Sequence, residues 1–173
     1  MKPLVSVIMS CYNETEKELS ESINSILSQT FKNIEFIIVD DNPTNTTLKN
    51  LLIKYGNDKR VKLVFNDTNL GLAQSLNKAI DISTGEYIAR MDADDISITE
   101  RLEKQYNYLE THKDCAMVAT NRNDIDENSQ IIREKAALVV SDKILRQITR
   151  YGSIITHPSV MIKSNLLKAL GGY

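Results

Sequence analysis

Four times in succession the chain pairs a short apolar run with a stretch whose apolar residues recur at three- and four-residue spacing. The runs Leu4–Met9, Ile34–Val39, Val61–Phe65 and Tyr87–Met91 are near-continuous and rich in β-branched residues, as strands covered on both faces must be. After each run one helical face is apolar: Leu19, Ile23, Ile26 and Leu27; Leu48, Leu51, Leu52 and Tyr55; Leu72, Leu76, Ala79 and Ile80; Leu102, Tyr106 and Leu109. Parallel neighbours need crossovers of this length, and those crossovers are right-handed. The order therefore predicts an α/β fold, a doubly wound and mostly parallel sheet with helices on both faces.

Local signals punctuate the pattern. Thr15 with Glu18, and Ser97 with Glu100, read as capping boxes, Gly56 as a C-cap and Gly85 as the end of the third helix. Cys115–Thr120 predicts another strand, and residues 121–134 a polar loop with a short strand near Ile131. Ser141 caps a helix through Ile144, Leu145 and Ile148, Ser159–Ile162 is the last strand, and Ser164–Leu170 is a helix ending at Gly171 and Gly172. At 173 residues one domain suffices.

Charge and cysteine usage exclude several functions. Lys+Arg 21 against Asp+Glu 23 leaves −2, without the basic excess of a nucleic-acid binder. Cys11 and Cys115 lie in apolar runs without metal spacing and read as reduced core residues. No stretch reaches the ~18 apolar residues of a membrane span, and Leu4–Met9 is too short for a signal-peptide core. The expectation is a soluble cytoplasmic protein, with peripheral attachment at the inner membrane face left open.

The strand Tyr87–Met91 runs straight into Asp92, Asp94 and Asp95. Like charges this close oppose folding unless a cation or strong donors compensate, and Mg2+ or Mn2+ held by one or two carboxylates plus substrate phosphates answers that need. An EF-hand is excluded: Asp92, Asp94 and Glu103 match its first, third and twelfth positions, but Ile96 and Ser97 occupy a ligand position and the obligatory glycine. Ligands of open α/β sheets sit outside the carboxyl ends of the strands. There the sequence places Ser10 to Glu14, Asp40 with Asp41, and Asp92 to Asp95. Arg90 and Arg101 flank the acidic cluster as salt-bridged scaffolding or phosphate contacts. His157 precedes the last strand as a structural residue or an acceptor contact, and His112 reads as helix surface.

In order, VSVIMSCYNE, SINSILSQTFKNIEFIIVDDNPTN, NLGLAQSLNKAI, GEYIARMDADD with ERLEKQ, and HPSVMIKSNLLKALGGY resemble the family 2 glycosyltransferases, inverting enzymes of the GT-A fold. The resemblance implies a single domain over 1–173: a nucleotide-binding half, 1–120, that includes the Asp-x-Asp motif, and the truncated start of an acceptor half, 121–173. It implies that Ser10, Tyr12, Asn13, Glu14, Asp40, Asp41, Asp92 and Ala93 line the nucleotide-sugar site. Tyr12 would stack on the base and Asp41 accept the uracil imide N–H. Asp94 would ligate the metal, Asp92 reach the ribose or the metal's water shell, and Asp95 orient the loop. Gln74 and Ser75 stand where an arginine often occurs, so no diphosphate contact from that helix is implied.

The implied reaction is inverting transfer from a UDP-sugar to a glycan or lipid-linked acceptor in bacterial surface-polysaccharide synthesis. In the family a general base follows the Gly-Gly-Tyr turn, so it is expected beyond Tyr173, and these residues alone are expected to bind donor without transferring sugar. Two other classes compete. A phosphoacceptor receiver domain wants an acidic pair after its first strand and a lysine after its fifth, where Ser10-Cys11 and Asn121 stand; a donor-binding module without catalysis shares every nucleotide-site feature.

Overall fold

A computed structural model describes residues 3–135, 140–152 and 155–173. Strands β1 (Val5–Cys11), β2 (Ile34–Asp40), β3 (Val61–Phe65) and β4 (Tyr87–Arg90) alternate with helices α1 (Glu16–Leu27), α2 (Thr46–Tyr55), α3 (Leu72–Ile82) and α4 (Arg101–Thr111). They are followed by β5 (Met117–Ala119), a hairpin of β6 (Asp124–Ile125) and β7 (Ile131–Arg133), α5 (Asp142–Ile148), β8 (Val160–Lys163) and α6 (Ser164–Ala169). The six-stranded sheet has the order β3-β2-β1-β4-β8-β5.

The first four strands are mutually parallel, as their helical crossovers require, and β1 and β2 are buried at every residue. Helices cover both faces. Leu19, Ile23 and Ile26 of α1, Leu48, Leu51 and Leu52 of α2, and Leu102 and Leu109 of α4 pack with Val7, Met9, Phe36 and Ala89. Leu76, Ala79 and Ile80 of α3 and Leu167 of α6 pack with Ile8, Ile37 and Ile88 on the other face. The predicted doubly wound architecture is observed.

Its last third departs from a simple parallel continuation. β8 inserts antiparallel between β4 and β5, with Ala89 opposite Met161 and Val118 opposite Met161 on the far side. A late strand thus fills the slot that β5, only three residues long, would otherwise occupy beside β4.

Not every cap signal in the sequence is used. The Thr15 box forms, with Glu18 N–H donating to Thr15 Oγ1 at 3.2 Å and Thr15 N–H to Glu18 Oε2 at 2.8 Å. The Ser97 box does not. Helix α4 begins later, at Arg101, and its Leu102 N–H donates to Gln29 Oε1 at 3.0 Å, while Gln29 Nε2 donates to Ile98 O and Ser97 Oγ. A fully buried amide after α1 therefore caps α4 across the fold. Ser141 sits at the N-cap of α5 without a side-chain cap bond. Gly85 does not end α3, which stops at Ile82; it passes so close to β1 that a Cβ would lie 2.6 Å from Ser6 N.

Candidate active site

Because β1, β2 and β4 are parallel, their carboxyl ends share one edge of the sheet, and all three polar segments singled out in the sequence emerge there. Ser10 is still within β1 and 9% exposed, whereas Tyr12 is 44% exposed. Asn13 is exposed, and Glu14 Oε2 accepts from Tyr12 N at 2.7 Å. Asn42 fixes this loop to the β2 end. Its Nδ2 donates to Tyr12 O and Asn13 Oδ1, both at 2.9 Å, and its Oδ1 accepts from Thr44 Oγ1 at 2.9 Å. An Asx residue just past a strand end and before proline is the local signal that marks it.

Asp40 and Asp41 are each 2% exposed. Burial, opposed by the N–H of Asn42 at 3.0 Å, pushes the Asp40 carboxyl upward. Asp41, expected to contact the base, is bonded within the protein. Its Oδ1 accepts from Asn66 Nδ2 at 2.7 Å and Leu70 N at 2.8 Å, and its Oδ2 from Gly71 N at 2.8 Å. Burial opposes its ionisation, but donors from Leu70, Asn66, Ser75 and Gly71 outweigh that and hold its carboxyl below the usual range. With both oxygens engaged by Asn66, Leu70 and Gly71, Asp41 anchors the β3–α3 loop. No local sequence signal marks Asn66 or Lys78, whose Nζ donates to Asn66 Oδ1 at 2.8 Å, because their partners lie on other elements.

Beyond β4, Asp92, Asp94 and Asp95 bring carboxylate oxygens within 4.8 Å of one another. The turn is pinned from α1, where Ser22 Oγ donates to Asp92 O at 2.8 Å, and by Ala93, which is 2% exposed and packs in the core. The Asp95 carboxyl is raised by burial and by the charges of Asp92 and Asp94. That of Glu14 is raised by burial and, in part, by Asp94, so the β1 loop and the acidic turn face the same space. Three converging hard oxygen donors fit Mg2+ or Mn2+, and Asp92, Asp94 and Asp95 are the residues that would hold it.

Both flanking arginines are buried, at 1% for Arg90 and 5% for Arg101. Arg90 Nη1 forms an ion pair with Asp92 Oδ1. Arg101 donates to Arg90 O at 2.7 Å, to Gln105 Oε1 at 3.2 Å and to Met91 Sδ, and burial lowers its pKa to about 10. Arg101 is therefore scaffolding, its donors used within the protein.

The antiparallel β8 brings the short 3-10 turn His157–Ser159 to the end of β4. His157 meets Tyr173 edge-on with ring centroids 4.7 Å apart, and burial and the charge of Arg90 lower its pKa. Tyr173 is held by Asn77, whose Oδ1 accepts its N–H at 2.9 Å. His112 is exposed and stacks on Tyr108, as a surface residue. Cys11 and Cys115 are free thiols, Cys11 kept protonated by burial and nearby carboxylates. Two concavities, of about 620 and 730 Å3, lie at the opposite edge of the sheet around Thr84 and take no part in this arrangement.

A family model described as "Glycosyl transferase family 2" matches residues 6–171. An uncharacterized glycosyltransferase of Methanocaldococcus jannaschii is 44% identical over 98% of the chain, and the O-antigen biosynthesis glycosyltransferase WbnJ of Escherichia coli 33% identical over 98%. The chain spans 59% and 65% of the lengths of these relatives. Among solved structures, S. aureus TarS 1-349 in complex with UDP-GlcNAc superposes with a TM-score of 0.73 at 26% identity, over 99% of this chain and 48% of that one.

Proposed function

The chain belongs to glycosyl transferase family 2 and has the α/β architecture of its GT-A members, and from that premise we propose that it carries the donor site of an inverting sugar transferase. The donor is a UDP-sugar bound with Mg2+ or Mn2+, and the acceptor a hydroxyl of a glycan or lipid-linked glycan in surface-polysaccharide synthesis. The observation that carries this reading is the convergence of the Ser10–Glu14 segment, the Asp40–Asn42 turn and the Asp92–Asp95 cluster at one sheet edge. The UDP-GlcNAc complex of TarS supports the choice of nucleotide, and WbnJ's part in O-antigen biosynthesis supports the acceptor class.

In this reading Tyr12 stacks on the base above Ser10, while Asn13, Glu14 and the Asp40–Asn42 turn close the pocket around base and ribose. Asp41 shapes that pocket by holding Leu70 and Gly71 in place. Asp94 is the principal metal ligand, Asp95 lies behind it, and Asp92 and Ala93 border the ribose and diphosphate. A bound divalent ion neutralises charge developing on the departing diphosphate. The rings of His157 and Tyr173 border the acceptor side. Among the described residues no helix is long and apolar enough to cross a membrane.

Calorimetric titration of UDP with Mg2+, with Mn2+ and with chelator tests the proposal, followed by a screen of UDP-sugars. Binding that needs the ion supports it. Equal affinity in chelator, or no binding of UDP under any condition, overturns it.

A further inference from the structure

We propose that Arg90 is a resident counter-cation of the acidic cluster, a positioning residue that occupies one oxygen of Asp92 and leaves Asp94 as the carboxylate that leads in binding a divalent ion. The inference rests on the metal-dependent reading of the site and extends it to a residue outside the Asp-x-Asp motif.

Arg90 ends β4, and strand alternation places it on the face of Ile88, the face that packs with Leu76, Ala79, Ile80 and Leu167. It is the largest fully buried side chain, 1% exposed. A guanidinium in such surroundings is costly unless its charge is met. Nη1 meets Asp92 Oδ1 as an ion pair without an aligned hydrogen bond, and Nε has no hydrogen-bond partner among the described residues. Asp92 is thus the carboxylate that answers Arg90. The neighbouring cation does not relieve this demand, because Arg101 donates to Arg90 O, Gln105 and Met91 and adds positive charge to the same region. A side chain needed only to fill the core would be served by methionine or leucine; the charge is explained by Asp92, with which it pairs, and by Asp95, whose ionised form it favours.

The consequence is a division of labour in the cluster. One oxygen of Asp92 is committed to Arg90, whereas Asp94 is exposed and paired to no cation among the described residues. Removing the Arg90 charge should free Asp92 and tighten the binding of a bare ion.

The test is titration of Mn2+ alone, and of Mn2+ with UDP, into wild type, Arg90→Gln, Arg90→Lys and Asp94→Asn proteins, each checked by circular dichroism. Arg90→Gln should bind Mn2+ on the order of ten-fold tighter than wild type, as loss of a unit charge beside a divalent ion implies, with Arg90→Lys staying within about three-fold. A folded Arg90→Gln protein that binds Mn2+ no tighter than wild type overturns the proposal. If that variant does not fold, Asp92→Asn decides. Its loss of Mn2+ affinity should be about ten-fold smaller than that of Asp94→Asn, and an equal loss overturns the proposal. Failure of wild type to bind Mn2+ even with UDP overturns the metal reading and this inference together, which separates that failure from the failure of Arg90 alone.

Discussion

The carboxylate of Asp41 accepts the N–H of Gly71 at 2.8 Å, so a residue just past the end of β2 holds the start of α3 at the carboxyl edge of the sheet. Gly71 has φ +80, a left-handed conformation that suits glycine and presents its N–H to Asp41. The loop that borders the pocket is therefore set by a carboxylate with no exposed face of its own.

Replacing Asp41 by Asn should consequently act on the loop before it acts on base choice. Lost charge-assisted bonds and a misdirected amide cost about 2 kcal/mol of stability, and UDP and CDP should weaken together. Competition binding of the two nucleotides to wild type and mutant checks this. A loss confined to UDP would mean that Asp41 trades a loop donor for the uracil imide.

Asp94→Ala should remove the metal requirement of UDP binding together with most of the affinity, because it deletes the exposed carboxylate of the cluster. Calorimetry with and without chelator is the measurement, and a mutant that retains metal-dependent binding contradicts the assignment.

Glu35 predicts an acid limb of stability. It is 4% exposed in β2, where Oε1 accepts from Ser6 Oγ at 2.5 Å and Thr84 N at 2.6 Å, and Oε2 pairs with Lys62. Burial opposes its ionisation, but Lys62, Ser6 and Thr84 outweigh it and bring its pKa down to about 2 from 4.5. A depressed folded-state pKa stabilises above the unfolded value, and that contribution is lost as pH falls from about 4.5 towards 2. Since the Lys62 side chain is 47% exposed, screening limits the gain to about 1–2 kcal/mol. Urea midpoints of wild type and Glu35→Gln should differ most above pH ~5 and converge near pH 2. A constant gap would contradict the linkage.

Gly85→Ala should destabilise by about 1–3 kcal/mol, because the new methyl would meet the Ser6 backbone at 2.6 Å. A fall in thermal midpoint of several degrees is expected, while Gly152→Ala, with nothing within 4 Å, serves as a neutral control.

Gln29→Leu keeps the volume and removes the cross-fold cap, leaving the Leu102 N–H and Ile98 O without their partner. A loss of about 1–3 kcal/mol follows from unpaired buried groups. Hydrogen exchange should show it first in the Ser97–Leu102 segment, and protection unchanged there would refute the cap.

Short-range pattern carried the first four strand–helix units, the Thr15 box and the position of the carboxylates at the carboxyl edge of the sheet, because burial on both faces and helical period are written in neighbouring residues. Topology then delivered the convergence, since parallel strands must end at one edge. Partner choice was decided elsewhere. That β8 slips antiparallel between β4 and β5, that Gln29 rather than Ser97 caps α4, that Asp41 is occupied by Asn66, Leu70 and Gly71, and that Arg90 answers Asp92 from beneath the sheet were set by tertiary contact. Hydrogen bonds and ion pairs join whatever groups packing brings together, most of these from distant segments, and no local periodicity encodes which buried donor will face which acceptor. The sequence by itself thus determined the layers and the sheet edge at which the polar segments gather. Only the folded chain decided which of its charged side chains are engaged within the protein.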